Sequence, residues 1–228
     1  MPLFCYNPCM CGAFTFTQFT RIVKEQGLKA AQEFMKERFN LRPTDYVPTV
    51  LNNSVDTIFL AYWGMTPSWG KDKKIPLLFN TRADSIVEKP YFNKLMKKNR
   101  CIILADGFYE WEKSGNEKLP HRFILKNHEP FAFAGIWDYS PINREPQVSI
   151  ITTEPNSLVA RIHNRMPVIL TLDRAKNWIQ NDEEQKLIEM LKPIDERMMD
   201  VYRVSKDVNY SANDSPELIL PIEQIKAA

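Results

Sequence analysis

The chain has 228 residues, 44% of them hydrophobic and 25% charged, a balance that fits a folded protein with a sizeable core and excludes a disordered or fibrous one. Its net charge is only +2, so no global field announces a nucleic-acid or membrane partner, and any such role must rest on local patches. No apolar run approaches the roughly 20 residues of a membrane span, and the first basic residue, Arg21, comes too late for a secretory leader. Cys5, Cys9, Cys11 and Cys101 read as free thiols of a reducing compartment. The expected location is the cytoplasm, at the nucleoid, or the nucleus in a eukaryote.

After an irregular start, Phe19, Ile22, Val23, Leu28, Ala31, Phe34 and Met35 recur at near-helical spacing, and Gly27 divides them into two short predicted helices. Pro43 and Pro48 end that pattern. Strands are predicted at Val47–Leu51, Thr57–Trp63, Cys101–Ala105, Phe108–Glu112, Arg122–Leu125, Phe131–Trp137 and Val148–Thr152. Helices are predicted at Tyr91–Lys98, at Leu172–Gln180 with Thr171 or Asp173 as its cap, and at Glu183–Leu191. Two basic patches, Lys71, Lys73 and Lys74, then Lys94, Lys97, Lys98 and Arg100, fit either solvated surface or nucleic-acid contact. The tail from Tyr210 onward fits either packing against the body or recruitment of a partner. Strands cluster and helices do not alternate with them, which predicts an α+β fold: one domain over residues 11–228 with a mixed, barrel-like sheet flanked by helices, expected to be a monomer.

The chain has no glycine-rich phosphate loop, no Gly-x-Ser-x-Gly elbow and no His-Glu-x-x-His pair, and seven glycines are few for nucleotide binding. The spacing of Cys5, Cys9 and Cys11 lacks a second ligand pair, so neither a metal nor another cofactor is expected. Four polar islands stand in apolar or turn-like settings: MCGAF at 10–14, FNTRADS at 79–85, ADGFYEWE at 105–112 and IHNRMP at 162–167. Their cysteine, asparagine, glutamate and histidine can supply a nucleophile, an orienting amide and acid/base groups. His163, beside Ile162 and Met166, reads equally well as a hydrogen-bonded core histidine.

With FNLRPT, WGMTPSWGKD, FNTRADS, RCIILADGFYEWEK, FAFAGIWD, ITTEPN and IHNRMPVIL following MCGAF in order, the chain resembles the SOS-response-associated peptidase family of abasic-site-processing proteins from Met10 to about Ile179. The resemblance implies a partner, single-stranded DNA containing an abasic site, and a covalent thiazolidine crosslink to an amino-terminal Cys11. It also implies self-cleavage and abasic-site lyase chemistry as accompanying activities. An α-amine with a pKa of about 7.7–8.0 is partly unprotonated near neutrality, unlike a lysine at about 10.4. The thiol, at about 8.5 when free, needs only modest activation. The family's acid falls on Glu110. Strand alternation there sends Tyr109 and Trp111 to one face and Phe108 and Glu110 to the other, and a carboxyl in such aromatic company is expected to have a raised pKa. Asn80 and His163 fall on the remaining active-site positions, Arg82 on a DNA-contacting arginine, and Pro43, Trp69, Trp111 and Thr152 on motifs that line the DNA groove, with core packing the rival reading for the two tryptophans.

Two departures matter. Residues 1–10 precede Cys11, so they are expected to be either a leader removed by the Glu110 and His163 site or the product of a misassigned start at Met1 instead of Met10. The family usually carries arginine two positions after the cysteine, where this chain has Ala13. The alternative functions are a cysteine peptidase acting on itself or other proteins and a noncovalent single-stranded DNA binder.

Overall fold

The structure, a computed structural model, describes residues 12–30, 36–70 and 75–225. Cys11, the ten residues before it, residues 31–35 of the second predicted helix, and Lys71, Lys73 and Lys74 lie outside the described residues.

In chain order the elements are β1 (Ala13–Phe16), α1 (Phe19–Gln26), β2 (Arg38–Leu41), β3 (Tyr46–Leu51), β4 (Ser54–Trp63), β5 (Asn80–Arg82), α2 (Ala83–Glu88), α3 (Pro90–Lys98), β6 (Arg100–Ala105) and β7 (Gly107–Ser114). They continue as β8 (Glu117–Leu125), β9 (Phe131–Tyr139), β10 (Pro146–Thr153), β11 (Met166–Pro167), β12 (Ile169–Thr171), α4 (Leu172–Gln180), α5 (Glu184–Glu189) and β13 (Met199–Arg203).

Five strands close into a barrel. β4, β3, β6, β9 and β10 pair antiparallel in that order, and β10 returns to β4 in parallel, with Val148 opposite Trp63. The chain is thus α+β with a mixed barrel, as its pattern of elements predicts. β6 and nearly all of β9 are buried on both faces, which accounts for their continuous apolar runs. Gly135 is required where β9 crosses its neighbours: a Cβ there would lie 2.5 Å from Ile103 Cδ1 and 2.8 Å from Cys101 Sγ. α4 buries Ala175, Trp178 and Ile179, and Trp178 donates to the Cys101 carbonyl at 3.0 Å. Thr171 is the N-cap residue of α4, but its side chain makes no capping hydrogen bond.

The second sheet has the order β13-β8-β7-β1-β2. β1 is short, and both its faces are covered: Phe14 and Phe16 enter the main core, Ala13 a smaller one with Phe39, Tyr109, Val204, Val208 and Leu218. Asp106 anchors this sheet. Its wholly buried carboxylate accepts from the Thr15 hydroxyl at 2.5 Å, from the Thr17 and Gln18 backbone amides, and from Arg122 Nη2 at 3.1 Å. The Arg122 guanidinium also holds the Tyr202 hydroxyl of β13 at 2.7 Å, and it lies so close that a Cβ on Gly107 would meet its Nε at 2.6 Å.

Two sequence expectations receive definite answers. Arg100 is not a surface cation: it is 1% exposed and donates to the carbonyls of Met96, Lys97, Trp178 and Asn181, satisfying the open ends of α3 and α4. Lys97 pairs with Glu184 at 2.8 Å, so two of the four cations in the second basic patch have structural partners. The tail packs back. Asn40 Nδ2 reaches the carbonyls of Val208, Tyr210 and Asn213, Asp214 accepts from the amides of Phe39 and Asn40 and from Arg38, and Leu218 is buried.

Candidate functional site

The site forms where β5 and the loop before β11 flank β10, next to the start of β1. In β5, Thr81 points inward, its hydroxyl 2.8 Å from that of Ser149, so Asn80 and Arg82 share the opposite face. The parallel register sets Asn80 beside Ile150 and Arg82 beside Thr152. Arg82 is exposed, and its fork grips Asp84, with Nε 3.0 Å from Oδ1 and Nη2 2.5 Å from Oδ2. That contact first, with help from the Ser85 amide and the Arg165 charge, holds the Asp84 pKa down at about 2.

Arg165 escaped attention in the sequence although it stands inside IHNRMP. Its Nη2 donates to the Thr152 carbonyl at 2.6 Å and approaches the Thr152 hydroxyl at 3.3 Å. Burial lowers its pKa and the nearby Arg82 charge adds to this, so two guanidiniums face one region of surface with Asp84 near both. Thr152 is 0% exposed. Its carbonyl and hydroxyl fix Arg165.

His163 occupies the loop between β10 and β11. Asn156 shapes that loop: its Oδ1 accepts from the Val159 amide at 3.0 Å and its Nδ2 donates to the Ile194 carbonyl at 3.0 Å. The half-buried imidazole keeps Nδ1 3.3 Å from both the carbonyl and the amide of Arg165. Burial lowers its pKa below the usual 6.5, the Arg165 backbone hydrogen bond opposes this, and the charge of Lys113 on β7 pushes the same way as burial. The imidazole is therefore neutral at physiological pH.

Glu110 belongs to the other sheet. It is 2% exposed and follows Phe108 on the face that enters the main core, while Tyr109 and Trp111 join the smaller core, as strand alternation predicts. β1 runs antiparallel to β7 with Ala13 opposite Tyr109 and Phe14 opposite Phe108. Continued by one residue, that register brings Gly12 alongside Glu110. Trp63 links this edge to β5: its ring lies 5.3 Å from Phe14, and its indole nitrogen donates to the carbonyl of Phe79, the residue before Asn80, at 2.9 Å. Asn80 and Glu110 are thus held across the junction of the two sheets.

The remaining expected groove residues differ in exposure. Trp69 is 55% exposed and meets Tyr91 edge-to-face at 6.4 Å, so it is not a core residue. Trp111 is partly buried, with its indole nitrogen 2.6 Å from Asn209 Oδ1 and the Arg42 guanidinium 5.3 Å above its ring. Pro43 follows Arg42 on the same partly exposed turn. The register of Phe14 against Leu41 carries Arg42 next to Ala13, so a guanidinium stands beside the position where the family's arginine is missing.

A family model described as SOS response associated peptidase (SRAP) matches residues 10–211. The chain belongs to the SRAP family. Among curated SRAP relatives, "Abasic site processing protein YoqW" of Bacillus subtilis is 39% identical over 224 residues, covering 92% of this chain and 99% of the relative. The chicken "Abasic site processing protein HMCES" is 29% identical, covering 94% of this chain and 76% of that protein. A solved protein from Bacteroides thetaiotaomicron superposes with a TM-score of 0.80 at 28% identity, covering 92% of this chain and 99% of that one. No helix among the described residues is long and apolar enough to cross a membrane.

Proposed function

We propose that this protein processes abasic sites in single-stranded DNA and does so covalently, by closing a thiazolidine ring between the ring-opened sugar and Cys11 once Cys11 is the first residue. The observation that carries the proposal is the β1–β7 register, which delivers Gly12, the residue after Cys11, to the side of the buried Glu110. One peptide step of about 3.8 Å separates the two Cα atoms of Cys11 and Gly12. The names of the curated relatives support the same substrate.

The chemistry balances without a cofactor. The α-amine of Cys11 adds to the sugar aldehyde, the carbinolamine loses one water, and the thiol adds across the resulting C=N bond, its proton passing to nitrogen. Glu110, enclosed at 2% exposure, gives the proton that lets the hydroxyl leave as water. His163, neutral at physiological pH, takes the thiol proton or orients the sugar phosphate. Asn80 holds the amino terminus or sugar oxygens. Arg82 and Arg165 take phosphates, contacts that position a strand without reading its sequence. Trp69 offers an exposed ring for stacking, and Thr152 acts through Arg165.

The test is an adduct gel with single-stranded DNA bearing one abasic site, comparing the protein with Cys11 first against the full chain. A denaturation-resistant adduct is expected with the former, none with Cys11→Ala, and formation slowed by about 10² with Glu110→Gln. Binding without any adduct would sink the covalent reading and favour a noncovalent binder. An intact mass that retains Met1 or Pro2 in every molecule of the natural protein would rule out both a removed leader and a start at Met10.

A further inference from the structure

Arg42 carries a charge that the mechanism above leaves unused. Arg21, Arg38, Arg82, Arg100, Arg122 and Arg197 each lie within 3.5 Å of a carboxylate oxygen. Arg42 has no such partner among the described residues and is held by neutral acceptors instead: its Nε donates to Asn40 Oδ1 at 2.8 Å and its Nη2 to the Val208 carbonyl. Asp45 is engaged elsewhere, its Oδ2 accepting from the Arg42 backbone amide at 2.9 Å and lying 3.5 Å from Arg38 Nη2. Nη1 keeps both of its hydrogens without a partner among the described residues. The guanidinium covers the Trp111 ring, whose indole nitrogen is in turn fixed by Asn209 Oδ1 at 2.6 Å. Burial lowers the Arg42 pKa, as it does that of Arg165. A partly desolvated cation with no counter-ion gains when an anion arrives, and a guanidinium fits phosphate oxygens well.

The turn that presents Arg42 is rigid and tied to the rest of the site. The Asp45 amide donates to the Arg42 carbonyl at 3.0 Å, closing a turn with Pro43 second and Thr44 third. Thr44 has φ 80°, a left-handed conformation in which glycine is the usual third residue and a β-branched one is strained. Such strain persists only where the surroundings hold it, and it clusters at binding sites. Here the holding residue is Trp63: its carbonyl accepts from the Thr44 amide and its amide donates to the Asp45 carbonyl, both at 2.9 Å. The same Trp63 grips the Phe79 carbonyl next to Asn80. One residue thus sets the spacing between Arg42 and the strand that bears Asn80 and Arg82. Arg42 flanks the start of β1 from the β2 side, beside the uncharged Ala13, while Arg82 and Arg165 approach from β5 and the loop before β11.

We propose that Arg42 is a further phosphate contact for the single strand, taking the phosphate on one side of the abasic sugar while Arg82 and Arg165 take the phosphate on the other. Any sugar inside a strand carries a phosphate on each side, so a sugar drawn to the start of β1 offers one to each cationic position. Val208 and Asn209 hold Arg42 and Trp111 in place, which makes the C-terminal segment part of the binding surface. The inference rests on single-stranded DNA being the substrate.

The experiment measures binding of the full chain to a single strand whose abasic sugar is a tetrahydrofuran, which lacks the aldehyde and forms no crosslink. In a set of such strands, one phosphate at a time around that sugar is replaced by an uncharged methylphosphonate. Wild type is compared with Arg42→Gln, Arg42→Lys and Arg82→Ala, and Arg42→Met, whose stem still packs on Trp111, decides should the glutamine disturb the turn. Arg42→Gln is expected to bind the all-phosphate strand about 10-fold more weakly and to flatten the slope of log affinity against log salt by about 0.7. One methylphosphonate position that weakens wild type should have no further effect in Arg42→Gln, and a different one should have none in Arg82→Ala. Arg42→Lys should keep the salt slope, because it keeps the charge, and lose part of the affinity, because an ammonium lacks the guanidinium fork. Weaker binding by Arg42→Gln with an unchanged slope and every methylphosphonate effect retained overturns the proposal, because a residue that only steadies Trp111 and the tail predicts that outcome. Silencing of the same position by Arg42→Gln and Arg82→Ala overturns the assignment to opposite sides. Phosphate-sensitive wild-type binding that Arg42→Gln leaves unaltered overturns the role of Arg42 alone, whereas a wild type that binds no single strand overturns the substrate reading and this inference with it.

Discussion

The closed barrel and the five-stranded sheet are held by different forces. One face of the barrel strands is apolar: Ile103, Phe133 and Ile150 are fully buried there, and Gly135 lets the strands approach. The outer sheet instead turns on a buried ion pair, Asp106 with Arg122, and on a tail tied to β2 by Asn40 and Asp214. Apolar packing is non-directional and tolerates small slips, whereas hydrogen bonds to one carboxylate fix a register. The barrel supplies most of the core, and the polar sheet decides where Gly12 meets Glu110.

The strongest way to break that contrast is Asp106→Ala. It leaves Arg122 charged and uncompensated in a buried site and frees the amides of Thr17 and Gln18. The expected cost is about 3–5 kcal/mol in denaturant unfolding, with adduct formation impaired in whatever fraction remains folded. A barrel truncation such as Ile103→Val is expected to cost only about 0.5–1.5 kcal/mol. Equal losses from the two would remove the distinction between the sheets. A smaller effect is expected from Asn40→Ala, which strips one donor group from the carbonyls of Val208, Tyr210 and Asn213. The loss should be about 1–3 kcal/mol and confined to the tail. Hydrogen exchange should quicken between residues 206 and 219 while the barrel amides stay protected; uniform acceleration would mean that the tail is part of the main cooperative unit.

Much of this contrast was legible in the sequence on the barrel side and little on the other. CIILA and FAFAGIW announce doubly buried strands by composition, and the register of Leu172–Gln180 as a helix follows from its apolar spacing. β1 was read as irregular because AFTF is four residues long and buried on both faces, so it shows no alternation. α2 hid inside FNTRADS, where Arg82 and Asp84 suggest chemistry more than a helix start. The motifs single out Asn80, Arg82, Glu110 and His163 as candidates, but the supporting contacts of Arg165, Asn156 and Asp106 depend on partners distant in sequence. That Thr152 lies beneath Arg165 is likewise visible only in the fold. Arg100 looked like part of a basic patch because a one-dimensional charge run does not reveal which cation is buried.

The smallest expected stability effect falls on the residue most exposed at the site. Arg82 pairs with Asp84 at the surface, and exposed pairs of this kind contribute about 0–1 kcal/mol, so Arg82→Ala should leave the unfolding midpoint almost unchanged. Its consequences should be electrostatic. Removing one phosphate partner should weaken binding to undamaged and abasic single strands alike and flatten the slope of log affinity against log salt by about 0.7. Loss of the Arg82 contact also lets the Asp84 pKa rise from about 2, since that contact is the main cause of its depression. An Arg82→Ala protein with full affinity and an unaltered salt slope would mean that Asp84 already occupies the guanidinium in the bound state, leaving Arg165 to carry the phosphate on that face alone.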